Sequence, residues 1–174
     1  DPMAYENERW SNLRRQGSVD LPAFYVSRYE VTRAQFALFT EDSRVNADDI
    51  DLAGAGDLPV TGITWPEALA YGRWLEQRLR ESPQTPAEIS AFLEGGAHVT
   101  LPNEAEWEKA ARGTDGRVFT WGPRLRNDLA NFGGEALAAV GAIACSTCSY
   151  GLSDMAGNVW ELTRSPSQDY PYDP

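Results

Sequence analysis

Gly151-Leu152-Ser153-Asp154-Met155-Ala156-Gly157-Asn158-Val159-Trp160-Glu161 is the stretch on which the reading of this chain turns. It combines a tight glycine turn, two carboxylates seven positions apart and an apolar Val-Trp pair. The pattern is too irregular for a plain helix or strand. Glycine lets a backbone turn back and aim carbonyls inward, and carboxylate and carbonyl oxygens are the donors that a hard cation such as calcium requires. The same residues also read as a capped turn, with Trp160 filling a core and Glu161 capping a backbone end.

Three further stretches extend the pattern toward the N-terminus. They are Phe24-Tyr25-Val26-Ser27-Arg28-Tyr29-Glu30-Val31-Thr32, Leu58-Pro59-Val60-Thr61-Gly62-Ile63-Thr64-Trp65-Pro66-Glu67-Ala68, and Leu101-Pro102-Asn103-Glu104-Ala105-Glu106-Trp107-Glu108-Lys109-Ala110-Ala111-Arg112-Gly113. With the glycine-rich stretch, they resemble in order the signatures of the formylglycine-generating-enzyme family, also called the sulfatase-modifying-factor family. The last resembles its G-L-x-D-M-x-G-N-V-W-E motif, and the others its E-V-T, P-V-x-x-V-x-W and L-P-T-E-A-E-W-E-x-A-A-R-G segments. Four motifs in register, from Phe24 to Glu161, cover most of the chain.

Composition fits one soluble domain. A chain of 174 residues is long enough to bury a core without staples. Six Trp, fifteen Gly and eleven Pro point to loops pinned by large side chains rather than to long regular elements. Fifteen basic against 26 acidic side chains leave a net charge of −11. That field repels nucleic acid and anionic lipid, and no apolar run reaches membrane-spanning length. The expectation is therefore no nucleic-acid partner and no membrane insertion, with a small-molecule or peptide substrate of unknown identity. Asp48-Asp49-Ile50-Asp51 reads as a solvated loop whose spacing matches no calcium loop.

Local patterning predicts a strand, a helix, a loop, two helices and a long irregular half. Phe24 to Val31 is aromatic and β-branched, as a half-buried strand should be. Thr32 caps a short helix through Phe39. Thr64 and Glu67 form a capping box with Pro66 in the first turn, opening a helix that stops before Pro83. Pro86 to Leu93 supplies an extra helical turn inside an insertion running from Pro83 to His98. Asn103 and Glu106 cap another helix, which Gly113 ends.

The resemblance implies a compact, C-type-lectin-like α+β fold with much irregular structure, spanning residues 1–174 as a single domain. It also implies structural calcium in the late hairpin. Carried over by position, the ligands are the side chains of Asp154 and Glu161 and the carbonyls of Gly157 and Val159. A second calcium site of the family begins at Asn131-Phe132, but the loop from Gly133 to Ala139 is short and lacks the expected Asp. Active family members use copper held by two cysteines C-terminal to G-N-V-W-E. The chain ends at Pro174 without them, and it starts after the family's opening strand. Copper is expected only if those cysteines exist beyond Pro174, and no catalytic residue is assigned.

Cys145 and Cys148 are the only cysteines. In Cys145-Ser146-Thr147-Cys148 they read as a small disulfide, as free thiols, or as a redox or soft-metal pair. A disulfide places the protein outside the reducing cytosol, in the bacterial periplasm. His98 is the sole histidine, expected at a partly buried strand edge with no visible carboxylate partner. It argues against the three-histidine iron branch of this fold. Tyr170 to Pro174 reads as a frayed aromatic tail. Three function classes result: an exported non-sulfatase oxidative or maturation protein, such as those maturing the siderophore pyoverdine; a ligand-binding or display module; and a formylglycine-generating oxidase truncated before its cysteines.

Overall fold

The computed structural model describes residues 20–45, 50–132 and 136–166. Asp48 and Asp49, the start of the Gly133 loop, the first residues of the chain and the Tyr170 to Pro174 tail lie outside them. The chain divides into two compact units, Val31–Leu101 and the remainder on either side of it. Each is described by itself.

The Val31–Leu101 unit carries helices α1 (Arg33–Ser43), α2 (Trp65–Glu81) and α3 (Ala87–Glu94). Thr32 caps α1: its hydroxyl accepts from Gln35 N, and the Gln35 side chain accepts from Thr32 N at 2.9 Å. The helix runs one turn beyond Phe39, because Thr40 to Ser43 offer no breaker until Arg44 adopts a left-handed conformation. Glu67 accepts from both the backbone N–H and the hydroxyl of Thr64, each at 2.6 Å, opening α2 as the capping box predicts. The extra turn expected after Pro86 is a full eight-residue helix.

The core of this unit is Phe36, Phe39, Ile50, Val60 and Tyr71. Phe36 stacks on Tyr71 with centroids 5.3 Å apart, and Phe39 meets Tyr71 edge-on at 5.7 Å. Burying each such ring stabilises the fold by roughly 1.5–3 kcal/mol. Gly72 lets α2 lie close to the following chain, since a Cβ there would sit 2.8 Å from Val99 O. The described end of the acidic stretch is anchored: Ile50 is in the core, and Asp51 pairs at 2.5 Å with the buried Arg33.

Among its described residues, the other unit holds α4 (Glu104–Arg112) and the 3-10 turn Ser149–Gly151. Asn103 Oδ1 accepts from Glu106 N at 2.7 Å, and Glu106 Oε2 accepts from Asn103 N at 2.7 Å. Ala110 and Ala111 of α4 pack on Leu152 and Met155, with Trp107 alongside. The chain after the hairpin returns to the start of α4: Arg164 N donates to Pro102 O, and the Arg164 guanidinium meets Glu106 at 2.9 Å.

The predicted strand over Phe24 to Val31 does not form. Residues 20–30 are extended or bent and mostly exposed. A strand requires a ladder, and here single contacts such as Ser153 N to Arg28 O at 3.1 Å replace one. Among the described residues the only sheet-like pairings are three isolated bridges. β-propensity states a preference and needs a paired neighbouring strand to become a ladder. No described helix is long and apolar enough to cross a membrane.

Candidate functional site: an acidic cluster under the glycine hairpin

The hairpin 151–161 is pinned through two residues in left-handed conformation, Asp154 (φ 61°) and Asn158 (φ 62°), types whose short polar side chains tolerate that region. Asn158 is the hub. Its Nδ2 donates to Glu30 Oε2 at 3.0 Å and to Ala138 O at 3.2 Å. Its Oδ1 accepts from Ala138 N and from Asn131 Nδ2, while its backbone N–H donates to Asn131 O. Gly157 permits this approach: φ is 87°, and a Cβ would lie 2.8 Å from Asn131 O.

Three carboxylates gather around that hub. Burial raises Glu30 from 4.5 to about 7, against the Asn158 hydrogen bond and with help from the charges of Asp154 and Glu161. Burial also raises Glu161, opposed by the Trp107 indole N–H that donates to Glu161 Oε2 and reinforced by Asp154. Asp154 Oδ2 accepts from Gly141 N at 2.6 Å. Glu30 Oε1 is buried with no hydrogen-bond partner. The cluster therefore holds more negative charge than its donors neutralise. A proton or a cation relieves it.

Of the sequence-derived ligand positions, Asp154 and Glu161 belong to this cluster. Gly157 and Val159 carbonyls accept no main-chain hydrogen bond among the described residues. Asp154 Oδ2 is engaged by Gly141 N and Glu161 Oε2 by the Trp107 indole. An oxygen-only donor set of this kind fits a hard cation. Among the described residues, no three His, Cys, Asp or Glu side chains are arranged to hold a metal, so carbonyls would have to complete the shell.

Residues 3–172 match the family described as the sulfatase-modifying factor enzyme 1-like domain. The chain belongs to that family. Among its relatives, the hercynine oxygenase of Mycolicibacterium thermoresistibile is 31% identical over 98% of this chain and 41% of its own length. The formylglycine-generating enzyme of Mycobacterium tuberculosis is 31% identical over 71% of this chain and 38% of its own. That of Thermomonospora curvata is 33% identical over 92% and 65%. The chain spans about two fifths of the hercynine oxygenases it matches. The family thus includes relatives named for oxidation of something other than a sulfatase.

Several expectations are corrected by the geometry. Trp160 fills no core: it is fully exposed, at 101% relative accessibility. Among the described residues, Glu161 accepts from the Trp107 side chain. His98 is 74% exposed rather than partly buried, and it has a carboxylate partner, Glu76, whose two oxygens lie 3.2 Å from Nδ1. Together with Arg73, Gln77, Arg80 and Glu81 they line an open groove on α2. Cys145 and Cys148 are joined as a disulfide. Glu30 was legible only as a letter of the E-V-T motif. Its place under Asn158, 128 positions away, carries no local signal.

Proposed function

We propose that this domain serves a non-sulfatase oxidation, on a C-type-lectin-like scaffold whose late hairpin is organised by calcium. The observation that carries the reading is the similarity across 98% of the chain to proteins named hercynine oxygenase. The bonded pair Cys145–Cys148 precedes the hairpin and is not the copper pair that the family resemblance places after it. The substrate is a small molecule or a peptide, and the specific form we favour is maturation of a siderophore of the pyoverdine type. A disulfide-bonded pair supports an extracytoplasmic location, in a bacterial periplasm.

The complete protein, loaded with copper and given a sulfatase-type cysteine peptide, is expected to form no formylglycine by mass spectrometry. Formation of the aldehyde would replace this reading with a true copper-dependent formylglycine-generating oxidase. Calcium would be held by Asp154, Glu161 and the carbonyls of Gly157 and Val159. It should raise the melting temperature of the wild type by mass action and not that of Asp154→Ala. An undiminished calcium shift in the variant removes the ligand assignment. The full exposure of Trp160 favours a second reading, a ligand-display module. Under that reading, Trp160→Ala abolishes ligand binding with no turnover to lose.

A further inference from the structure

We propose that Cys145–Cys148 is a redox-active bond that exchanges with low-molecular-weight thiols, with Cys145 the sulfur attacked and Cys148 the departing thiolate. The proposal goes beyond the oxidative reading above and does not depend on it.

The first support is that the turn does not need the bond. The cysteines are three positions apart, and a cross-link over so short a loop restrains the unfolded chain least. The same turn is held by other means. Cys148 N donates to Cys145 O at 3.3 Å, and Ser149 N donates to Thr120 O at 3.2 Å. Arg117 Nη1 reaches both Thr120 O at 2.9 Å and Thr147 O at 2.7 Å. Asp115 fixes that guanidinium through two bonds, of 2.8 and 2.7 Å. A reduced pair would therefore stay in place.

The second support is that the two sulfurs are not equivalent. Cys148 Sγ lies 3.1 Å from Thr120 Oγ1 in a part-buried setting, and Thr120 itself is only 6% exposed. A disulfide sulfur carries no proton, so the hydroxyl is the donor. The same hydroxyl favours negative charge on that sulfur once the bond breaks. Cys145 Sγ lies 3.8 Å from Thr147 Oγ1 in an exposed setting. Next to Cys148 in the chain, Ser149 Oγ is buried without a partner. Ser149 lines a polar cavity of about 140 Å³ with Gly113, Thr114, Arg117 and Tyr150. That space suits a small polar molecule.

The chemistry balances with thiol as the named reductant. A thiolate attacks Cys145 Sγ and forms a mixed disulfide. The Cys145–Cys148 bond breaks, and its electron pair leaves on Cys148 Sγ beneath the Thr120 hydroxyl. A second thiolate attacks the small-molecule sulfur, releasing a symmetrical disulfide and the Cys145 thiolate. Solvent protons complete the two thiols. Two external thiols are oxidised by two electrons, and one protein disulfide is reduced.

The full chain is equilibrated in mixed reduced and oxidised glutathione, quenched in acid, alkylated and weighed intact. The expected result is a bond that titrates across the buffer range, with the trapped mixed disulfide mapping to Cys145. In the reduced protein the Cys148 thiol should alkylate with a midpoint below the ordinary value of about 8.5. Thr120→Val should raise that midpoint by about one pH unit, a roughly tenfold loss of Cys148 thiolate at a pH below it. Thr120→Ser should restore wild-type behaviour, which separates loss of the hydroxyl from loss of the fold. A bond that stays oxidised in millimolar glutathione, a mixed disulfide on Cys148, or a Thr120→Val midpoint equal to wild type overturns the proposal.

Discussion

Replacing Glu30 by Gln tests whether the cluster under the hairpin is overcharged. The Glu30 carboxyl moves from 4.5 in the open chain to about 7 in the folded protein, chiefly because burial penalises its charge. Below about pH 4.5 both states are protonated and the group contributes nothing to the difference between them. Between the two values the folded state holds a proton that the unfolded state has lost, so stability falls as pH rises. Above about pH 7 the full penalty is present. At ~1.4 kcal/mol per pH unit the displacement has a ceiling of about 3 kcal/mol. The side chain is only partly enclosed, and solvent screening brings the expectation to about 1–2 kcal/mol.

Glu30→Gln keeps an oxygen for the Asn158 amide and removes the charge. Urea unfolding with chelator present, followed from about pH 4.5 to about pH 8, should show nearly equal stabilities at the acid end. The variant should gain progressively toward pH 8, reaching a midpoint shift of about 0.5–1 M urea for ordinary slopes of roughly 1–3 kcal/mol per molar. Parallel wild-type and variant curves across that range would refute the reasoning, because a Glu30 carboxyl that is as acidic in the folded protein as in the open chain gives no pH-dependent difference.

Two other variants probe the same hairpin. Gly157→Ala must place a side chain at positive φ and 2.8 Å from Asn131 O. The left-handed conformation alone costs about 1–2 kcal/mol, so a melting-temperature fall of roughly 4–8 °C is expected once the contact is added; an unchanged melt contradicts the close approach. Trp107→Phe keeps the ring packing on Leu152 and Met155 but removes the indole donor to Glu161. An unpaired buried carboxylate costs about 1–3 kcal/mol. Because Glu161 is already raised, the loss should be larger at about pH 8, where it must ionise, than at about pH 5. A pH-independent loss points to packing instead.

Helix ends were legible because their causes are local. Thr32, Thr64 and Asn103 each sit three residues before a Gln or Glu that reaches back to the backbone, and each opens a helix where expected. The strand over Phe24 to Val31 was misread for the opposite reason: β-propensity states a preference, and the missing partner is not written in those residues. The cysteine pair and the hairpin acids were visible as candidates. The bond between Cys145 and Cys148 and the Thr120 hydroxyl beside it needed a structure, because Thr120 is 28 positions away.

The amino-acid order by itself determined the family, the capped helices, the glycine that turns the hairpin and the acids placed on it. These depend on spacing within a few residues, where side chain and backbone meet with little chain between them. Tertiary structure alone decided that Glu30 lies under Asn158, that Trp107 donates to Glu161, that Trp160 faces solvent and that His98 finds Glu76. Such pairings join residues from 22 to 128 positions apart, and burial, not local pattern, sets the charge state of the acids they enclose.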